Sequence, residues 1–262
     1  METNSQTVNA NTQATSELAA LLGRYSVVDL SPQLYTNMPQ WGTHPDVAFV
    51  SNARNFEQDG YYLQMIVMPE HSGCHVDAPA HALVDRPQET IDSFPPTALW
   101  GPAKKIDVSD RDWQPGQLLG VAEFKERAAD AGISLEKGDV VLVQFGWDRY
   151  LEGAETDHSK GRWWGCNMPG FAEDLCRYIG EALPRAVGTD TAGCDIAVVD
   201  GVIQVPEMWG HQRDFLPRGI LVLEGLSNLA RVPSTFFFVA LPLRIRGGSG
   251  SPLRAVGLTL PG

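Results

Sequence analysis

The sequence predicts a single mixed α/β domain with many strands and few helices. Three observations carry that prediction. Short unbroken apolar runs, "VVLV" at 140–143, "ILVL" at 220–223 and "FFFVAL" at 236–241, have the length of buried strands rather than of helices. Two longer segments, 121–132 and 170–183, read as helices. The 26 Gly and 18 Pro among 262 residues call for many turns and argue against a helical bundle.

Residues 1–15 are polar and of low complexity and are expected to form a disordered tail, which leaves 16–262 as one domain. Ser16 is placed to cap a short helix, "ELAALLGRY", that ends near Gly23. "SVVDLS" at 26–31 is the first expected strand, and the aromatic, apolar "YYLQMIVMP" at 61–69 the next. The helix at 121–132 closes on Gly132. "GDVVLVQFGW" at 138–147 is a buried strand that opens from a turn. Pro184 stops the helix at 170–183, and "RAVGTD" at 185–190 is a strand that runs into a loop. Strands at 219–226, 235–245 and 252–260 complete the set, with no repeat and no interdomain linker.

A net charge of −12 argues against nucleic acid or an anionic membrane as a partner, since both need a basic surface. The longest apolar run, "FFFVALPL" at 236–243, is far short of the roughly 20 residues that span a bilayer. The amino terminus has neither a basic start nor an apolar run, so no signal peptide is expected. The four cysteines, at 74, 166, 176 and 194, form no CxxC pair and no dense disulfide framework. The expectation is a soluble cytoplasmic protein.

Chemistry concentrates in "PEHSGCHVDAPAHA" at 69–82, which holds His71, His75, Asp77 and His81 in a chain with only six histidines. Their spacings are all even, so an extended segment turns these side chains to one face. Gly73 and Pro79 within the segment disfavour a helix. Imidazole nitrogen and carboxylate oxygen form a ligand set for zinc that also suits manganese or iron. Two His and one Asp leave a coordination position open, as a catalytic metal requires, and His81 remains free to move protons. A structural metal is the alternative, although cysteine ligands are more usual for that.

"HSGCHVDAPAH" resembles the HxGTHxDxPxH signature of the cyclase family, which includes kynurenine formamidase (arylformamidase), isatin hydrolase and trans-dienelactone hydrolase. It departs from the signature at Cys74, where the family has Thr. The resemblance extends through "VQFGWDRY" at 143–150, "GTDTAGCD" at 188–195 (Gly193 at the usual Ser), "HQRDFLPRGILVLEGLSNLARVP" at 211–233 and "ALPLRIRGGSGSPLRAV" at 240–256. It implies a cyclase-like, swivelling β/β/α domain in a homodimer or homotetramer. It implies a metal-dependent hydrolase that cleaves a small aromatic amide, formamide or lactam C–N bond. A lactone hydrolase and an inactive metal-binding relative are the alternatives.

The resemblance also assigns residues. His71, His75 and Asp77 hold the metal, and His81 is the general acid/base. His211 and Glu224 either hold a second zinc or stand beside the substrate around a single manganese; in both cases they join His81 in catalysis. One or two zinc or manganese ions per chain are therefore expected. Glu224 interrupts an apolar run, where a charge is costly unless paired or bound to metal; an ion pair with Arg218 or Arg254 is the structural alternative. Trp41 and Trp164 are expected to contact substrate, with a core or dimer contact as the other reading of Trp41. His44 and His158 lie in polar loops and read as solvent-exposed. Cys74 reads as a small residue filling the Thr position rather than a nucleophile.

Overall fold

The apolar runs read from the sequence do form strands, and these strands wrap into a ring. The structure, a computed structural model, describes residues 2–261. Its main sheet contains β1 (Ser26–Asp29), β2 (His75–Asp77), β3 (Trp100–Asp107), β4 (Val140–Gln144), β5 (Ala186–Thr189), β6 (Leu221–Glu224), β7 (Thr235–Pro242) and β8 (Gly250–Thr259). Their order is β1-β8-β7-β3-β4-β5-β6-β2, and β2 pairs with β8 as well. That last pairing closes seven strands into a barrel-like mixed sheet, with β1 flanking β8. The pairs β3–β4, β4–β5 and β5–β6 are parallel. The remaining pairs are antiparallel.

Both faces of the parallel strands are covered, which is why they read as continuous apolar runs rather than alternating ones. Val140, Leu142, Ala186, Leu221 and Leu223 fill the ring together with Phe236, Phe238 and Ala240. Their neighbours Val141, Val143, Val187 and Val222 face outward into a second core. Among the described residues four helices run to nine residues or more: α1 (Glu2–Leu22), α2 (Val121–Asp130), α3 (His158–Cys166) and α4 (Glu173–Glu181). Phe124 of α2 and Leu175, Cys176 and Ile179 of α4 cover the outer valines.

The expected mixed α/β class with few helices is what is seen. The tail is different. In place of a disordered segment over 1–15, the chain forms the single helix α1. No Gly or Pro interrupts residues 1–22, and the side chains bond along the helix. Gln13 donates to Glu17, and Ser16, expected as a cap, lies mid-helix with Oγ donating to the Thr12 carbonyl at 3.0 Å. The strand expected at 61–69 is Leu63–Val67, but it pairs with Ala48–Arg54 in a separate, exposed ribbon. Strand β3 was not expected. Pro102 and two lysines hide it, although it lies in mid-sheet; buried Lys105 is satisfied by Gln144 Oε1 and the Leu229 carbonyl, both at 3.0 Å. No described helix is long and apolar enough to cross a membrane.

Candidate metal centre

Strand pairing assembles the centre. In the β6–β2 ladder Glu224 is the partner of His75, and Val222 that of Asp77. Partners in an antiparallel pair point to the same side. The even spacing of His75 and Asp77 therefore puts both beside Glu224, outside the ring, while Val76 between them points in with the inner core. His71 precedes β2 and folds back over β8, where a Cβ on Gly250 would lie 2.4 Å from its ring. His81 ends the helical turn Pro79–His81, with its ring 3.9 Å from that of His71.

His211 arrives from a distant loop, in the π-helical turn Gly210–Asp214. Asp195 builds that turn. Its Oδ2 accepts from the Gly210 and His211 amides at 2.7 and 2.9 Å, and its Oδ1 accepts from His211 Nδ1–H at 2.6 Å. Gly210 is needed there, because a Cβ would meet the Phe215 ring at 2.4 Å.

Hydrogen bonding decides which nitrogens face inward. His75 Nδ1–H donates to the Gly73 carbonyl at 2.9 Å, which leaves Nε2 3.6 Å from Asp77 Oδ1 and 3.5 Å from Glu224 Oε2. His211 Nε2 lies 3.1 Å from Asp77 Oδ2 and 3.5 Å from Glu224 Oε1. Ser249 Oγ donates to the Glu70 carboxylate, so it accepts from His71 Nε2–H at 2.8 Å. His71 Nδ1 is thereby turned to Asp77 Oδ1, 2.6 Å away.

Charge ties the buried groups of this pocket together. Burial opposes the ionisation of Asp77, but hydrogen bonds from His211 and His71 hold its carboxyl well below the usual range. Burial also works against a charged His75, yet Glu224 and Asp77 lift it to about 9. Burial likewise opposes a charged His211, and Asp195 raises it well above the ordinary value. Glu224 is raised by burial and by the Asp77 charge. Its buried Oε1 has no hydrogen-bond partner. A divalent cation held by these residues would displace protons from them. His75, Asp77 and Glu224 offer ligand atoms within 4.8 Å of one another, as do His71, Asp77 and His81. The residues present thus fit a divalent metal. A third group, Cys194, Asp195 and His211, fits less well: Asp195 is spent on the turn, and burial pushes the Cys194 thiol well up.

All the residues expected at the site come together. His71, His75, His81, His211, Glu224, Trp41 and Trp164 line one cavity of about 260 Å³, with Asp77 at its base. Glu224 is not ion-paired with arginine, since Arg218 pairs with Asp214 and Arg254 with Asp29. Trp163 faces away and stacks on Trp147 at 5.6 Å. Cys74 packs in the inner core on the face opposite His75, and burial pushes its thiol up to about 12.

Sequence reasoning missed four contributors. His44 lines the cavity rather than standing in solvent. Asp195, Ser249 and Glu70 orient histidines from behind; nothing in their local sequence spacing points to His211 or His71. Ile196, Ile203 and Met208 add apolar wall.

A family model described as putative cyclase matches residues 28–196. The chain belongs to the putative cyclase family. Among curated relatives of this chain, the isatin hydrolase of Roseibium aggregatum is 29% identical over 251 residues, covering 91% of this chain and 93% of the relative. The kynurenine formamidase of Salinibacter ruber is 26% identical over 237 residues, covering 88% of this chain and 96% of the relative. A solved isatin hydrolase bound to the product analogue thioisatinate superposes on this chain with a TM-score of 0.81 at 25% identity, over 95% of this chain and 99% of the other.

Proposed function

We propose that this cyclase-family protein is a metal-dependent hydrolase that cleaves the C–N bond of a small aromatic amide, formamide or lactam. The observation that carries the reading is the convergence of His71, His75, Asp77, His211 and Glu224 on one buried pocket beneath a cavity walled by Trp41 and Trp164. The relatives named isatin hydrolase and kynurenine formamidase support the amide class.

In this reading His71, His75 and Asp77 hold the cation, zinc or manganese, and His211 and Glu224 complete its surroundings. When bound, the cation polarises the acyl carbonyl and acidifies water. The remaining work belongs to the protein. His81 is lowered to about 4, chiefly by burial and by the neighbouring His71, His211 and His75 against the pull of Asp77, so it is neutral at pH 7. A neutral imidazole takes the proton of the attacking water and delivers it to the leaving nitrogen. Glu224, directly across from His75, orients that water. Trp41 and Trp164 stack against an aromatic substrate and keep bulk water out.

A homodimer or homotetramer in the cytoplasm accompanies this reading. The exposed ribbon Ala48–Arg54 and Leu63–Val67, with Leu63, Met65, Ile66 and Val67 each about half exposed, supports the association, and four free cysteines support a reducing compartment.

The test is metal content per chain on protein purified without chelator, read with turnover of N-formylkynurenine and isatin. About two zinc with formamide cleavage makes His211 and Glu224 ligands. About one manganese with ring opening moves them to the substrate side. A metal-free protein that gains no activity on adding metal overturns the reading.

A further inference from the structure

His44 lies outside the metal cluster, yet it belongs to the same cavity. Two anchors fix it. Its amide donates to the Trp41 carbonyl at 3.0 Å, closing a turn over 41–44. Its ring Nδ1 lies 3.2 Å from the carbonyl oxygen of His71, and the two rings are 6.2 Å apart. A carbonyl only accepts, so Nδ1 carries the hydrogen and Nε2 of the neutral ring presents a lone pair. Among the described residues Nε2 has no partner.

The other polar side chains in that wall are either engaged or can only donate. Gln40 donates to the Pro45 carbonyl at 2.6 Å, and its Oε1 accepts from Ser72 Oγ at 3.4 Å. Trp164 contributes a buried indole N–H without a partner, which is a donor and not an acceptor. Among the described residues, beyond the metal cluster and His81, His44 is thus the cavity-lining residue whose ring keeps an unengaged nitrogen acceptor.

Resting on the amide reading, we propose that His44 is a specificity-determining residue whose Nε2 accepts a hydrogen bond from the N–H of the scissile amide. An N–H that leaves water for this cavity needs a replacement acceptor. His44 supplies it at a position tied to a metal-pocket histidine through that residue's own carbonyl. An N-alkyl amide has no hydrogen to give. A lactone turns oxygen lone pairs toward the nitrogen lone pair, and that repulsion rejects it. The site therefore selects amides, formamides and lactams with an unsubstituted nitrogen.

The experiment uses the metal-loaded protein and compares kcat/KM on isatin or N-formylkynurenine, whichever is turned over, with the N-methyl counterpart and a ring-matched lactone. The variants are His44→Leu, which removes the acceptor at similar size, and His44→Gln, which keeps one. Metal content is measured for each. The expected result is a fall of about tenfold for His44→Leu on the N–H substrate. The N-methyl substrate changes less than about threefold, His44→Gln recovers part of the loss, and metal content stays constant. Equal losses on both substrates, or loss of metal, would make His44 a mere support of the His71 backbone and overturn the assignment. Equal wild-type turnover of the N–H and N-methyl forms overturns it while leaving the amide reading intact. Turnover of the lactone and of no amide overturns both.

Discussion

Glu224 stands directly across a strand pair from His75, and its buried Oε1 has no hydrogen-bond partner. Burial and the neighbouring Asp77 both disfavour its charge, so the side chain costs the metal-free fold stability. Glu224→Gln should therefore raise the melting temperature in excess chelator and lower the gain in melting temperature when metal is added. Thermal unfolding with and without metal checks both signs; a variant less stable than wild type in chelator shows that the carboxylate is compensated without metal.

His81 and His71 should separate cleanly. His81→Ala is expected to keep bound metal and to lose roughly a hundredfold to ten-thousandfold in turnover, the usual weight of a general acid/base. His71→Ala is expected to lose the metal. If His81→Ala also loses metal on elemental analysis, His81 is a ligand.

Ser249 matters through His71. Its hydroxyl passes the Glu70 charge to His71 Nε2 and keeps Nδ1 aimed at Asp77. Ser249→Ala should weaken metal binding by about tenfold to a hundredfold, as loss of such outer partners does elsewhere. Competition with a chelating dye measures this directly. Unchanged affinity means that Gly250 packing alone positions the ring.

Asp190 sets a pH dependence of stability. Burial, and then the Asp148 carboxylate, lift it to about 7, against the pull of the Phe145 and Trp147 amides it accepts. The unfolded value is about 3.9, so the fold holds this proton more tightly. The stability tied to the protonated form is complete below about pH 4 and is lost as pH rises through about 7. Asp190→Asn should lower stability overall, because its amide meets a backbone N–H, but should flatten the decline between those limits. Urea unfolding across that range reads the slope; an unchanged slope refutes the assignment.

Cys74→Thr should retain activity within about threefold, since the thiol points into the inner core and a side chain of similar size replaces it. A thousandfold loss would mean that the sulfur takes part in chemistry.

The site was legible where its logic is local. His71, His75, Asp77 and His81 share one short segment, but even spacing is the geometry for His75 and Asp77 alone: the expected extended run is a three-residue strand, His71 turns back at Gly73, and His81 ends a helical turn. His211 and Glu224 came from resemblance, and the strand register explains Glu224. Asp195 and Ser249 were hidden because their roles depend on a π-helical turn and a glycine turn that no periodicity announces. His44 looked like a polar loop residue, and only the tertiary fold brings that loop over His71. In the fold, the parallel strands were readable as apolar runs, whereas Pro102 and Lys105 disguised β3 and the polarity of residues 1–15 concealed a helix. Both misses came from reading composition where backbone pairing or uninterrupted helical hydrogen bonding decided the outcome.

The strand bearing His75 and Asp77 is three residues long and is held on one side by β6 and on the other by β8. It is the clasp of the ring. Its two neighbours come from the last fifth of the chain, so the clasp closes only after almost the whole polypeptide has been made and threaded into register. Non-local closures of this kind are slow steps in folding. A cation that binds across the clasp is then a late checkpoint: half-built chains have no pocket to fill, and a filled pocket certifies that β8 is in place. Truncation after β7 would accordingly abolish metal uptake, although every candidate ligand would still be present in the shortened chain.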